Sequence, residues 1–330
     1  MGNLKKAIKS KFDYDVSELD AYVDENDLNL VTRAVTEGRT LELIDIRTGI
    51  KGTQQIPLLN DEINYQSAAA CGFNASGDTE FDTTDLTVVP MKIEKEFCNE
   101  DLVGFFTQQA LRQGVQAGQE ELPFADAISN YVLRLHSNAF DSVLWQGDTN
   151  ISTGNLSFFD GFKTILDASA DVVDASSAAA VAAINASNAY SVFVAIYTAM
   201  VEENEDVAYA DDFTIFCNIA NLQSLKTDMV TKNLFAYSSE ELQQGNFSVR
   251  LAGTNCTVVG VPGLKGQTGV YGGKLSKMIF GTDAQNDLMD FRLWYSEDDD
   301  KLKMSIKFRA GVTVPYFDEF VKWEPTSSPS

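Results

Sequence analysis

The chain has 330 residues, 44 % of them apolar and 22 % charged, near the globular average, which excludes collagen, coiled coil and wholesale disorder. At about 150 residues per domain it folds as one large domain or two, with enough length for a substantial core. Its 25 Lys and Arg stand against 48 Asp and Glu, a net charge of −23, the wrong sign for a protein that grips nucleic acid by its phosphates.

The first 27 residues turn from basic (Lys5, Lys6, Lys9, Lys11) to acidic (Asp13, Asp15, Glu18, Asp20, Asp24, Glu25, Asp27). They read as an extended arm without a core of its own. No apolar run follows the lysines, so a cleaved secretory signal is not expected. Leu28, Leu30, Val31 and Val35 suggest a short helix, and Leu41–Ile46 a strand. From Gly52 to Met91 there is no Lys or Arg, and residues 66–85 are small, polar and glycine-bearing. The limbs around Ile56–Tyr65 and Phe81–Val89 form a long two-stranded ribbon. An isolated hairpin is marginal in water, so this one needs stabilisation from outside itself.

The return limb alternates Met91, Ile93 and Phe97 against Lys92, Glu94 and Glu96, a strand with one buried face. Asn99 then suits the N-cap of a helix carrying Glu100 and Asp101 in its first turn and Leu102, Val103, Phe105 and Phe106 on its packing face. Pro123 opens a longer helix, Phe124–Gln146, of about 35 Å. Its apolar stripe reads Ile128, Val132, Leu135, Ala139, Val143, and Gly147 stands at the C-terminal cap. The only histidine, His136, lies within it and is read as structural. With one histidine, an HExxH site and any metal site built on several imidazoles are excluded. Asp148, Asn150 and Ser152 start like a calcium loop, but Thr153 and Phe159 stand where Gly and Glu are required.

Between Leu135 and Leu225 the only Lys or Arg is Lys163, against twelve acids. An alanine-rich tract, residues 175–189, runs into a helix at Tyr190–Glu203. Within it Val192–Val201, the longest apolar stretch, is about half the roughly 20 residues of a membrane span, so no span is expected. Phe213–Cys217 reads as a strand and Asn218 as the N-cap of a helix carrying Leu222, Leu225 and Met229. Cys256–Val261 is a further strand. The glycines at 260, 263, 266, 269 and 272 read as a loop, and Gly269–Lys274 misses the phosphate-loop spacing. Finally, Leu288–Tyr295 and Leu302–Phe308 form a hairpin turning at Glu297–Asp300. One face holds Leu302, Met304, Ile306 and Phe308, and the other, the chain's one clean basic strand face, holds Lys301, Lys303, Lys307 and Arg309. Cys71, Cys98, Cys217 and Cys256 make no CxxC pair and read as free thiols.

The order of these parts, with residues 88–102 (VVPMKIEKEFCNEDL), 144–148 (LWQGD), 159–162 (FDGF), 279–283 (IFGTD) and 312–323 (VTVPYFDEFVKW), resembles the major capsid proteins of tailed bacteriophages. The resemblance implies an α+β chain of the Hong Kong 97-type capsid fold. Residues 1–35 would be the N-arm, 36–57 a P-domain strand, 58–90 the E-loop, 91–148 the P-domain with its spine helix and 149–277 the A-domain. Residues 278–312 would be the P-domain return hairpin and 313–330 a segment returning towards the A-domain. It further implies a non-enzymatic subunit without cofactor or metal. Such a subunit self-assembles through hexamers and pentamers, in the host bacterial cytoplasm, into an icosahedral virion shell around double-stranded DNA. That DNA would be enclosed without sequence-specific binding and without a membrane.

The implied partners are other copies of the chain, a separate scaffolding protein, a portal and a decoration protein. The separate scaffold is expected because only about 30 residues precede the first apolar helix. Cys71, Phe73, Asp78 and Phe81 would make the inter-subunit contact of the E-loop, and Lys5, Lys6, Lys9 and Lys11 that of the N-arm. The acidic wall would repel packed DNA. Some members weld their shells through an E-loop lysine. With no Lys between Lys51 and Lys92 the mesh here is expected to be non-covalent, and Cys71 is a candidate for a disulfide across subunits in the released virion. The alternatives are an encapsulin-like nanocompartment shell and, with no ligand cluster in its favour, an acidic metal-dependent hydrolase.

Overall fold

Two sheets share an apolar cluster with one long helix between them, and a two-stranded ribbon is rooted on the first sheet by a smaller cluster. The computed structural model describes residues 39–61, 64–65, 79–98, 122–234, 247–283, 290–296, 298–299 and 301–326. The short helix expected from Leu28, the helix expected after Asn99 and the arm before residue 39 lie outside the described residues.

The first sheet has five strands in the order β1 (Asp45–Arg47), β10 (Ile279–Gly281), β12 (Lys301–Thr313), β11 (Asp290–Ser296), with β4 (Val89–Cys98) also paired to β12. Only β1 and β10 run parallel. The expected alternation of β4 holds: Met91 and Ile93 pack on the core while Lys92, Glu94 and Glu96 are exposed. β12 continues five residues past the expected Phe308, because Gly311–Thr313 pair with β10 after Lys301–Ala310 have paired with β4. The expected strand at Leu41 is shortened to Asp45–Arg47. Residues 39–43 turn instead, with Leu43 N–H donating to the Thr40 carbonyl, and Thr40 and Leu41 are buried.

The long helix, α1 (Leu122–Gln146), lies on this sheet. Half of the described stripe is as expected: Val132 and Val143 are buried, while Leu135 is 42 % exposed and Ala139 is exposed, and His136, Phe140, Asp141, Leu144 and Trp145 complete the buried face. An apolar period could not locate a face that contains His136 and Asp141. Gly147 ends the helix but is absent from the positive-φ residues. It is required because a Cβ there would collide with the carbonyl of Phe159.

The second sheet has six strands in the order β5 (Val173–Asp174), β13 (Phe320–Trp323), β9 (Val270–Lys274), β6 (Phe213–Cys217), β8 (Thr257–Gly260), β7 (Ser248–Arg250). α2 (Phe162–Ala168), α3 (Ala189–Glu203), the single turn α4 (Glu205–Ala208) and α5 (Ile219–Thr231) accompany it. β6 is buried along its whole length, as its continuous apolar run requires. Asn218 caps α5 as expected, accepting from Asn221 N–H at 2.7 Å. Asp228, on α5, accepts from Tyr190 N–H of α3 at 2.8 Å and pairs with Lys232 at 2.8 Å, tying the two helices together.

The glycine-rich segment is not a loop throughout. Pro262–Leu264 form a 3-10 turn, and Gly272 and Gly273 lie inside buried β9. Phe320 is the cross-strand partner of Gly273, and its ring occupies the space a Cβ would need.

Candidate inter-subunit surface

The ribbon pairs β2 (Thr53–Asp61) with β3 (Thr79–Thr87) antiparallel, from Thr53 opposite Thr87 to Asp61 opposite Thr79. Because side chains alternate, the register sorts the ribbon into two faces. One carries Ile56 and Leu58 beside Leu86 and Thr84. The other carries Pro57 and Leu59 beside Thr83 and Phe81.

The first face is anchored. Ile50, Ile56, Leu86, Val88 and Ile279 form a small buried cluster with Leu58 against it, so the ribbon root sits on β10 of the five-stranded sheet. The backbone reinforces this: Val88 N–H donates to the Gly52 carbonyl and Ile50 N–H to the Thr282 carbonyl, both at 3.0 Å. The Arg309 guanidinium reaches the Lys51 carbonyl, and the Thr53 and Thr87 hydroxyls meet at 2.9 Å. Gly281 and Gly311 let the root approach. A Cβ at Gly311 would strike the Thr87 carbonyl, and one at Gly281 would come within 2.9 Å of Leu86.

The second face is bare. Leu59 is 55 % exposed and its cross-strand partner Phe81 is 78 % exposed. Beyond them Tyr65 is 98 % exposed. Asp85 shares this face and is exposed, exposed Glu80 and Asp82 alternate onto the other face, and there is no Lys or Arg anywhere from Gly52 to Met91. The result is an apolar patch set in a field of one sign. On a hairpin with so little internal core, it is a surface suited to being covered.

Among the described residues, one side chain of the body hydrogen-bonds to this outer half. The Tyr316 hydroxyl accepts from Leu59 N–H at 3.2 Å and donates to the Leu59 carbonyl at 3.3 Å, while the Lys277 ammonium lies 4.7 Å from the Tyr316 ring centre. Phe81 is thus the one residue of the expected E-loop contact whose surroundings are described. Cys71, Phe73 and Asp78 lie outside the described residues, as do Lys5, Lys6, Lys9 and Lys11. Leu59, Tyr65 and Tyr316 were missed by sequence reasoning. Leu59 is found only once the register places it opposite Phe81, and Tyr316 stands 257 positions from its partner.

The basic face expected on β12 is answered by acids. Its register sets Lys303 against Glu96 and Ser305 against Glu94. Lys301 pairs with Glu96 at 2.7 Å, Lys92 with Glu94 at 2.8 Å, Arg309 with Asp283 at 3.4 Å, and Lys303 with Asp299. Lys92 holds the Glu94 carboxyl below its ordinary range, and Lys303 does the same to Asp299. The face is a mixed ionic lattice and not a cationic stripe.

Elsewhere the titratable groups are structural. Asp141, on α1, accepts from Gly263 N–H at 2.7 Å and Thr40 N–H at 3.3 Å. Trp145 Nε1–H donates to the Thr40 hydroxyl at 2.8 Å. Burial pushes the Asp141 carboxyl above its ordinary range against these hydrogen bonds. Cys217 and Cys256 are free and buried, and burial pushes the Cys256 thiol up to about 12. Among the described residues no three His, Cys, Asp or Glu side chains converge as metal ligands, and no helix is long and apolar enough to cross a membrane.

No protein-family model matches the chain, and no curated protein matches it. Solved structures do. The satellite phage P4 procapsid, which includes the size determination (Sid) protein, aligns with a TM-score of 0.58 at 11 % identity over 93 % of this chain and 95 % of its own. The capsid of Myoviridae phage XM1 aligns at 0.54 and 14 % identity, covering 86 % of this chain and 90 % of its own. Gordonia phage Cozz aligns at 0.54 and 11 % identity, covering 88 % and 87 %. At these identities the likeness is one of fold: the chain has the α+β Hong Kong 97-type fold of phage capsid structures.

Proposed function

We propose that this chain, which has a phage-capsid fold, is the major shell subunit of a virion, joining copies of itself through the ribbon β2–β3. In this reading residues 58–90 are the E-loop, residues 1–35 the N-arm, residues 91–148 the P-domain with α1 as its spine, and residues 149–277 the A-domain. Hexamers and pentamers of the chain close into an icosahedral shell around double-stranded DNA. Assembly takes place in the host bacterial cytoplasm on a separate scaffolding protein, with a portal at one vertex and a decoration protein outside. The E-loop residues Cys71, Phe73, Asp78 and Phe81 and the N-arm lysines Lys5, Lys6, Lys9 and Lys11 are the proposed contacts.

The observation that carries the reading is the exposed Leu59–Phe81 pair on a hairpin whose root alone is buried. Covering those two side chains with a second copy removes apolar area from water and gives the hairpin the packing it lacks. The uniform negative charge of the ribbon fits a wall that must not adhere to packed phosphate. The test is electron microscopy of the purified full-length chain, alone and with a candidate scaffolding protein. Closed particles that protect double-stranded DNA from nuclease after packaging are expected. Closed particles that instead co-purify with an enzyme would place the chain among nanocompartment shells, and a monodisperse monomer under all conditions would overturn the reading.

A further inference from the structure

His136 lies on α1 between two phenylalanines, with ring centres 5.6 Å from Phe140 and 5.2 Å from Phe308 of β12. It is 6 % exposed, and its Nε2 has no hydrogen-bond partner among the described residues. Phe140 continues the aromatic group to Phe308, at 5.4 Å, and to Phe280 of β10, at 5.9 Å. These rings are part of the joint between the long helix and the five-stranded sheet.

Among the described residues, the charged groups around it offer an imidazolium nothing: in the segment 39–44, whose Leu41 and Ile44 share its cluster, Arg39 lies against the Phe247 ring and Glu42 is exposed. On α1, Asp141 is committed to Gly263 and Thr40. On β12, Lys307 and Arg309 alternate with Phe308 and so take the opposite face of the sheet. On β4, Lys92, Glu94 and Glu96 also take that opposite face, and Lys95, on the same face as Met91 and Ile93, is exposed. β10 carries no charge, and Asp283 beyond it pairs with Arg309. The turn at Pro262–Leu264 has none, and on α2 Lys163 and Asp167 pair with each other at 2.7 Å.

We propose that His136 is an acid-sensitive joint: a proton on its ring cannot be accommodated between α1 and β12, so acidification loosens the long helix from the sheet. The neutral ring is tolerated as an aromatic packing residue, whereas the charged ring is a buried cation for which the described residues supply no counter-ion, and no acceptor at Nε2.

Burial accordingly lowers the His136 pKa from 6.5 to about 4. A base whose folded pKa is depressed stabilises the fold fully above its unfolded value and progressively less as the pH falls towards the folded one. The window is therefore pH 6.5 to 4. Two carboxylates work the other way there: burial raises Asp141 and Glu319, so their proton uptake favours the folded state as the pH falls. Carboxylates held low, such as Asp174 by the Ser176 hydroxyl, begin to lose their stabilisation as the pH falls into the ordinary carboxylate range, from about pH 5 downward. Since the chain has one histidine, acid weakening that sets in above about pH 5.5 falls to His136, and the comparison with His136 variants separates its share from that of the carboxylates below.

Deuterium exchange at the imidazole C2 position of the full-length chain, read by mass spectrometry across pH, reports the ring's protonation at any particle size. A midpoint near 4 is expected, and one near 6.5 would overturn the proposal. The second arm compares thermal midpoints of wild type, His136→Leu and His136→Phe between pH 7 and 4.5. The wild type is expected to lose stability over that range and the folded variant to lose much less. A folded variant with the full wild-type loss would contradict the proposal, and if neither variant folds the exchange midpoint decides.

Discussion

The junction around Trp145 and the ribbon β2–β3 use their large side chains in opposite ways. Trp145 is fully buried, with Phe216 at 5.0 Å, Phe162 at 5.7 Å and Tyr271 at 6.1 Å, and its indole N–H is satisfied by Thr40. Phe81 and Leu59 face solvent. At the junction α1, α2, β6 and β9 meet with their apolar surface already spent within one subunit. In the ribbon only the root is so provided for, and the outer half keeps its apolar surface available. A rigid body and an incompletely packed projection belong to one design, since a projection can find its place on a neighbour only if the body presents it at a fixed root.

The comparison is broken most easily at the junction. Trp145→Ala should lower the unfolding free energy of the subunit by about 4 kcal/mol through lost burial and a cavity, seen as a lower denaturant midpoint with an unchanged slope. Asp141→Ala should cost about 2 kcal/mol, because Gly263 N–H and Thr40 N–H are left buried without an acceptor. Its signature would be faster amide exchange at those two residues. Tyr316→Phe removes the only described hydroxyl that holds the outer half of the ribbon. It should cost about 1 kcal/mol locally and speed exchange of the Leu59 amide while leaving the global midpoint in place. If Tyr316→Phe instead lowers the global midpoint as much as Asp141→Ala does, the ribbon is not the separable element described.

Much of the fold was legible. β6 announced itself as a continuous run of buried apolar residues, Asn218 as the cap of α5, and β4 by strict alternation, because each of these signals is local. The extent of α1 is legible within two residues, and its buried face in part, through Val132 and Val143. His136 and Asp141 belong to that face for reasons held elsewhere in the chain, Asp141 through Thr40 and Gly263 and His136 through Phe308. The glycines of β9 read as a loop because the ring that covers Gly273 comes from Phe320. The same limit applied to the candidate surface. Two limbs of a ribbon could be read from composition, but the pairing of Leu59 with Phe81 depends on register, and the seat on Tyr316 depends on the fold as a whole. The basic residues of β12 are legible as one strand face but not as a neutralised one, because their acidic partners come from β4 (Glu96), from the hairpin turn (Asp299) and from beyond β10 (Asp283).

The central claim is that the bare face of the ribbon is completed by another copy of the chain. The most direct test is the double variant Leu59→Ser, Phe81→Ser, assayed for particle formation by sedimentation and electron microscopy alongside the unfolding midpoint of the dissociated subunit. The account predicts a midpoint close to that of the wild type and no closed particles. Closed particles at the wild-type yield would contradict it.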